Sequence, residues 1–310
     1  QLRIVFAGTP EFAARHLEAL LKSRHEILAV ITQPDKKGKR GRSLVESPVK
    51  KLAREFGLPA LQPLRLTKRD LSPFSFELLV VVAFGQILDL DVLETPTKGS
   101  INVHASLLPR WRGAAPIQRS ILAGDKNSGI TIMQMDDGLD TGNILASQSI
   151  QSAEESSESL SQKLCSLGQE LMLKTLEDLD QLQKDAIPQS DELTTYAAKI
   201  SKDEARINWL SDSTFIERQV RAFNPSPVAY TFINGIRVKI LSAKETNEAE
   251  GNAGEIIEIS KEGVLVGTKT KAIRIKELQL NQGKGNILKE ADIQNGWNHI
   301  FSCGKTFDQS

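Results

Sequence analysis

The chain has 310 residues, enough for two domains with an ample core, and its 39 Lys plus Arg balance 39 Asp plus Glu. Its two cysteines, Cys165 and Cys303, are far apart and belong to no CxxC or Cys/His cluster, so neither a disulfide framework nor a zinc site is suggested and no metal is expected. No apolar run approaches the roughly 18 residues of a membrane span, and the N-terminus lacks a signal-peptide core, so no membrane partner and a cytoplasmic location are expected. The zero net charge is silent about partners, but its distribution is not. Residues 1–70 hold 15 Lys/Arg against 7 Asp/Glu, and residues 151–200 hold 4 against 10, which suggests one basic face suited to a polyanion.

Residues 2–7, Leu-Arg-Ile-Val-Phe-Ala, read as a buried strand ending at Gly8-Thr9-Pro10-Glu11. Apolar residues at helical spacing predict a helix over 12–21 and a second strand over 25–32, the opening of a parallel sheet. The dinucleotide fingerprint is absent: Gly8 lacks its two companion glycines, and Glu11 would repel a pyrophosphate at the helix start. Gly8 is therefore read as a turn residue, and no nicotinamide cofactor is expected. Residues 33–47 form a long polar loop in which Lys36, Lys37, Lys39, Arg40 and Arg42 crowd around Gly38 and Gly41. A solvated, poorly structured loop and an arm that grips phosphates and orders on binding fit this composition equally well.

A short helix over 48–56 and a strand over 58–61 follow. Residues 78–83, Leu-Leu-Val-Val-Val-Ala, are the most continuous β-branched run and predict a central strand buried on both faces. It leads into Phe84-Gly85-Gln86-Ile87-Leu88, which reads equally as the wall of a flat ligand's pocket or as core packing. Pro116 opens a helix to residue 123, strands are predicted over 129–135 and 144–150, and a long amphipathic helix over 160–182. Beyond residue 206, short alternating strands at 228–233, 237–241, 255–259, 264–267 and 272–279 are separated by Gly- and Asn-containing turns. That pattern predicts a small β-barrel or sandwich, with an OB-like barrel as the expectation. The fold expected is α/β, with a Rossmann-like, mostly parallel sheet domain over 1–187, a linker over 188–205 and a β-barrel domain over 206–310.

The stretch that carries chemistry is 101–116, Ile-Asn-Val-His-Ala-Ser-Leu-Leu-Pro-Arg-Trp-Arg-Gly-Ala-Ala-Pro. Side chains alternate along a strand, so Asn102 and His104 share a face at its carboxyl end, where open α/β sheets bind ligands. A lone His near a strand end is more often a hydrogen-bonded structural residue than a catalyst. Here the other three, His16, His25 and His299, sit in helical, turn and tail contexts. The downstream loop Met135-Asp136-Asp137-Gly138-Leu139-Asp140-Thr141-Gly142-Asn143 can also bring a carboxylate to the imidazole. An amide, an imidazole and a carboxylate are the parts that acyl transfer without a covalent intermediate requires.

Asn102-Val103-His104-Ala105-Ser106-Leu107-Leu108-Pro109, followed by Asp137-Gly138-Leu139-Asp140-Thr141-Gly142, resembles the paired signature of the folate-dependent formyltransferases. Supporting stretches run in order along nearly the whole chain: Phe6-Ala7-Gly8-Thr9-Pro10, Thr32-Gln33-Pro34-Asp35, Trp111-Arg112-Gly113-Ala114-Ala115-Pro116, Lys202-Asp203-Glu204-Ala205-Arg206-Ile207-Asn208-Trp209 and Arg221-Ala222-Phe223-Asn224-Pro225. They are most similar to the member that formylates the α-amine of methionine esterified to initiator tRNA. The resemblance implies 10-formyltetrahydrofolate as co-substrate and the initiator methionyl-tRNA as partner. Asn102 and a protonated His104 would donate hydrogen bonds to the developing oxyanion, and Asp140 would orient His104 and hold a relaying water. It further implies folate contacts from Ser106, Leu107, Leu108 and Pro109, with Phe84, Gln86 and Ile87 in the pterin wall. Lys36, Lys37, Lys39, Arg40 and Arg42 would grip the tRNA, and the C-terminal domain would hold its acceptor arm. Arg110 and Arg112 would either meet the acceptor-end phosphates or brace their own loop. Two rivals stand beside this: a formyltransferase acting on a small amine, which has no need of the basic loop or the barrel, and a non-catalytic nucleic-acid-binding protein, which has no need of the intact Asn/His/Asp set. A monomer is the default expectation.

Overall fold

The densest apolar runs become the central strands of a seven-stranded sheet. In the computed structural model, which describes residues 1–39, 43–247 and 251–309, β1 (Arg3–Gly8) and β2 (Glu26–Ile31) are joined by α1 (Glu11–Leu21). After α2 (Pro48–Glu55), capped by the Ser47 hydroxyl, come the short β3 (Ala60–Leu61) and then β4 (Leu78–Val82), whose five residues are all buried. Then follow β5 (Ser100–His104), α3 (Pro116–Ala123), β6 (Asn127–Gln134), β7 (Ile144–Gln151) and α4 (Ser157–Glu177).

The strand order is β7-β6-β5-β4-β1-β2-β3. The pairs from β3 through β5 are parallel, and β6 pairs antiparallel with both β5 and β7. The chain therefore winds outward from β1 to β3 and returns to the other side at β4. The crevice beyond the carboxyl ends of β1 and β4 is the topological switch point at which such sheets bind ligands. Gly8 lies at that point because β1, α1 and β4 approach too closely for a side chain: an added Cβ would sit 2.6 Å from Ala13 Cβ and 2.6 Å from the Val82 carbonyl oxygen. One sheet face is packed by Val5, Ala7, Ile31, Leu79 and Val81 against Leu66, Leu71, Phe76, Phe84 and Val92. Burial of such side chains, at about 1.5–3 kcal/mol each, is the main favourable term holding the layer together.

Three expectations need correction. The predicted helix over 160–182 is broken at Asp178, where the backbone leaves the helical region (φ −116, ψ 26), and a separate helix spans Leu179–Lys184. Leu176 and Leu179 are both buried on either side of the break, so the apolar period reads straight through it. The polar loop over 33–47 contains a hairpin, with Lys36–Lys37 paired to Leu44–Val45 and the Gly38 N–H donating to the Ser43 carbonyl at 2.7 Å. Its base is tied by Asp35, which accepts from Gln62 at 2.7 Å and Lys50 at 2.9 Å; these two bonds hold the carboxyl below the usual carboxylate range. Arg40 and Arg42 lie outside the described residues. The stretch 188–205, read as a linker, carries a 3-10 turn at Asp191–Leu193, and its Tyr196–Ala197 pair parallel to Arg112–Gly113. Its backbone is thus held by hydrogen bonds linking Thr195 and Ala197 to Pro109, Arg112 and Ala115, a distant pairing with no local periodicity to betray it.

The chain divides into two compact units. The first comprises Gln1–Pro116, Asn127–Gln151 and Ser161–Ala197; the second comprises Ile117–Lys126, Ser152–Leu160 and the chain from Ala198 on. Within the second, Arg119 of α3 donates to Glu204 (2.7 Å) and to the Ala198 carbonyl (2.9 Å), and Arg221 donates to the Glu155 carbonyl at 2.9 Å. Among the described residues it also holds α5 (Ser213–Phe223), a short helix at Glu290–Gln294 and the strands β8 (Ala229–Ile233), β9 (Ile236–Thr246), β10 (Ile256–Ser260), β11 (Gly263–Gly267), β12 (Ala272–Leu280) and β13 (Ile287–Lys289). All the strand pairs are antiparallel, in the order β8-β9-β12-β11-β10, with β13 also on β12. Trp209 is fully buried in this core, stacked on Phe307 at 5.4 Å, and its indole N–H is satisfied by Thr231 Oγ1 at 3.0 Å. Among the described residues, no helix is long and apolar enough to cross a membrane.

Candidate active site

The register of β5 brings the site together. Asn102 faces Val81 of β4 and Met133 of β6, and His104 faces Thr131 of β6, so amide and imidazole emerge two residues apart at the carboxyl end of the strand. Asn102 Nδ2 donates to the Val81 carbonyl at 3.1 Å, which fixes which end of the amide is which, because a carbonyl oxygen there would face another. One amide hydrogen is thereby committed. Asn102 Oδ1 is buried with no partner among the described residues. Orphaned buried polar atoms are a small minority in native folds.

His104 is buried, and its Nε2 lies 2.8 Å from the Trp111 carbonyl oxygen. A carbonyl only accepts, so Nε2 carries the hydrogen, and Nδ1 is the nitrogen left for chemistry. Nδ1 lies 3.7 Å from Asp140 Oδ2, which accepts the Gly113 N–H at 2.8 Å. The loop 109–113 thus acts on both partners: its Trp111 carbonyl orients the ring and its Gly113 amide orients the carboxylate.

Both loops are held in uncommon conformations. Trp111 has φ 64 and Asp140 φ 53, left-handed values that non-glycine residues adopt only when their surroundings over-determine them. The constraint on the Asp140 loop is visible at Gly142, where an added Cβ would lie 1.7 Å from the Gln134 carbonyl oxygen. Asp136 closes the turn by accepting from the Gly138 N–H at 3.0 Å and from Thr141 Oγ1 at 2.5 Å. On the other side, the Thr195 hydroxyl accepts the Trp111 N–H at 2.9 Å, and the Thr195 carbonyl accepts the Arg112 N–H at 2.9 Å. Gln189 accepts from Arg112 and donates to the carbonyls of Asp140 and Gly142. Neither Gln189 nor Thr195 was singled out from the sequence. Both lie in an aperiodic stretch, and a polar residue after Pro188 is no signal by itself.

The remaining candidates separate. His104 and Asp140 come together, and Asn102 lies two positions before His104 on β5. Ser106 is buried, and its hydroxyl donates to the Arg110 carbonyl at 2.6 Å. The Ser106 carbonyl and the Leu108 N–H both meet Thr131 Oγ1, at 2.7 and 3.1 Å, and Leu108 is itself buried. Leu107 lies over Gly129 of β6. The Pro109 carbonyl accepts the Thr195 N–H at 3.3 Å, so what 106–109 leaves for a ligand is chiefly backbone and the edges of Leu107 and Pro109. Phe84 is buried in the core, and its carbonyl accepts from Thr9 Oγ1 (2.9 Å) and Gln33 Nε2 (3.3 Å) across the switch point. Gln86 is spent on pinning the neighbouring loop, accepting from the Leu66 N–H at 3.0 Å and donating to the Pro63 carbonyl at 2.9 Å. Ile87 is 88% exposed and is the member of that loop that presents apolar surface. Arg112 is 4% exposed and held by Gln189, so it braces its own loop; Arg110 stacks over the Trp111 ring at 4.4 Å. Lys36, Lys37 and Lys39 are exposed, beside the exposed Leu44 and Val45 of the hairpin.

A family model described as formyl transferase matches residues 2–176, and one described as formyl transferase, C-terminal domain, matches residues 199–296. Among curated relatives, the methionyl-tRNA formyltransferase of Pseudomonas fluorescens (strain Pf-5) is 46% identical over 314 aligned residues, covering 100% of this chain and 98% of that one. That of Pseudomonas paraeruginosa is 46% identical over 313 residues, covering 99% and 100%. Among solved structures, an N-formyltransferase from Helicobacter canadensis, in complex with folinic acid and dTDP-3-aminofucose, superposes with a TM-score of 0.64 at 23% identity, covering 89% of this chain and 99% of that one. HypX from Aquifex aeolicus, in complex with tetrahydrofolic acid, gives a TM-score of 0.66 at 18% identity, covering 96% of this chain and 47% of that one. At such identities the likeness is one of fold.

Proposed function

The chain belongs to the formyl transferase family, and from that premise we propose that it transfers the formyl group of 10-formyltetrahydrofolate to the α-amino group of methionyl initiator tRNA. The observation that supports the reading is the approach of Asp140 Oδ2 to His104 Nδ1, at 3.7 Å, at the end of β5, with Asn102 two positions earlier on the same strand. The substrate follows from relatives named methionyl-tRNA formyltransferase that are 46–47% identical from end to end.

In this reaction the amine nitrogen attacks the formyl carbon, the bond from that carbon to the folate nitrogen breaks, and the amine proton ends on the departing nitrogen. Negative charge grows on the formyl oxygen, and preorganised donors aimed at it are the largest catalytic term available without a covalent intermediate. Asn102 gives its second amide hydrogen. His104 acts through Nδ1, the nitrogen that Trp111 does not hold, and donates from it when protonated. The Asp140 carboxylate balances the imidazolium and holds the water that relays the amine proton. The backbone of 106–109 and the Ile87 side chain border the folate, and the cations of the 33–47 stretch, Lys36, Lys37, Lys39, Arg40 and Arg42, grip tRNA phosphates.

The test is formyl transfer from 10-formyltetrahydrofolate to charged initiator Met-tRNA, run beside free methionine, glycinamide ribonucleotide and an aminopentose nucleotide. Transfer to the charged tRNA alone is the expected result. Transfer to a small amine alone would keep the chemistry and overturn the substrate.

A further inference from the structure

Gln189 touches both loops that carry the site and neither of the groups that do the chemistry. Its Oε1 accepts from Arg112 Nε at 3.0 Å and Nη2 at 2.9 Å, and its Nε2 donates to the carbonyl oxygens of Asp140 at 2.8 Å and Gly142 at 2.7 Å. Four bonds use the full capacity of a carboxamide, two hydrogens and two lone pairs, so the side chain has no freedom to turn. Arg112 is the middle residue of the segment whose Trp111 carbonyl holds His104 Nε2 and whose Gly113 N–H holds Asp140 Oδ2. One end of the amide therefore sets the backbone that orients the imidazole, and the other sets the backbone that presents the carboxylate. Trp111 and Asp140, the two residues flanking this connection, both have left-handed backbones that would relax if released.

We infer that Gln189 is a positioning residue for formyl transfer, holding His104 Nδ1 and Asp140 Oδ2 at their working separation through Arg112 and through the Asp140 and Gly142 carbonyls. The inference rests on the proposed roles of His104 and Asp140. It assigns to the 188–205 stretch a part in the site, where composition alone suggests only a connector.

Two variants separate positioning from mere cohesion. Gln189→Met removes all four bonds at similar volume. Gln189→Glu keeps an acceptor for Arg112, as a second carboxylate beside Asp191, whose Oδ1 already lies 3.7 Å from Arg112 Nη2, but turns a carboxylate oxygen toward two carbonyl oxygens and pushes the Asp140 loop away. A displacement near 1 Å at a reacting group costs about tenfold to hundredfold in rate. The expected result is a kcat lowered by about tenfold or more in both variants, with KM for folate and tRNA within about twofold of the parent. The Glu variant should be at least as slow as the Met variant although it melts at a higher temperature. The ¹⁵N resonances of the His104 ring should shift in both. A kcat within about twofold of the parent in both variants, or a kcat that follows the melting temperature across the series, would overturn the inference. The resonances keep this test apart from the functional reading: if the parent protein transferred no formyl group to tRNA, that reading would fall, while unmoved His104 resonances would still dismiss Gln189 as a positioning residue.

Discussion

Asp140→Asn removes a charge while leaving the geometry of the site in place, and its consequence can be worked from the distances. Asp140 Oδ2 accepts the Gly113 N–H at 2.8 Å, a bond the Asn carbonyl oxygen can keep, and Asn tolerates the φ of 53 at this position better than most residues do. Loss of charge assistance in that one hydrogen bond costs at most about 1 kcal/mol of stability. The catalytic loss is larger. At 3.7 Å between Asp140 Oδ2 and His104 Nδ1, both side chains being mostly buried, an effective dielectric of about 20 gives an attraction of about 4 kcal/mol between carboxylate and imidazolium. If the imidazolium is fully formed when the formyl oxygen carries its charge, the transfer step slows by up to about a thousandfold. The assay is single-turnover formyl transfer at saturating folate and charged tRNA, with thermal melting in parallel. A rate within about threefold of the parent at unchanged melting temperature would refute the role given to the carboxylate. Asp140→Ala, which also strands the Gly113 N–H and strains the backbone, should lose about 2 kcal/mol of stability as well.

Gly142→Ala should destabilise the protein by about 3 kcal/mol and lower the rate, because its Cβ would collide with the Gln134 carbonyl and force the Asp140 loop outward; differential scanning calorimetry and the transfer assay check both. Replacing Lys36, Lys37 and Lys39 together by Ala should weaken tRNA binding and reduce the slope of log K against log salt by up to about 2–3, and an unchanged slope would remove these residues from the phosphate interface. His16 is fully buried, and burial pushes its pKa down to about 4, so the unfolded chain, with a value of about 6.5, binds the extra proton first. The corresponding stability is complete above pH about 6.5 and is lost as pH falls toward 4, by up to about 3 kcal/mol. His25 is shifted downward by burial too and contributes with the same sign. Urea unfolding at pH 7 and 4.5 should show a smaller loss for His16→Leu than for the parent, and an equal loss would refute the assignment.

The alternation of β5 was legible because strand periodicity is a property of neighbouring residues: Asn102 and His104 must share a face wherever the strand is placed. The same holds for the buried run that became β4 and for the tight acidic loop over 136–143, whereas the need for glycine at 142 came only from the packing against the Gln134 carbonyl. The Asp178 break was not legible, because the apolar period crosses it unbroken. The loop after β4 shows the limit most plainly. Composition left Phe84 and Gln86 open between pocket and core, and only the packing shows where they sit: Phe84 in the core, Gln86 on the Pro63–Leu66 backbone, and Ile87 outward.

What the sequence by itself determined is therefore the inventory: the strands and their faces, the amide, imidazole and carboxylate, and the cationic loop. The tertiary structure alone decided which nitrogen of His104 is free, that Arg112 braces its loop, and that Gln189 joins the two halves of the site. Those facts rest on hydrogen bonds between residues 7 to 77 positions apart, most of them far beyond the reach of any local pattern. Their partners are chosen by the order of strands in the sheet and by the demand that each buried polar group find one.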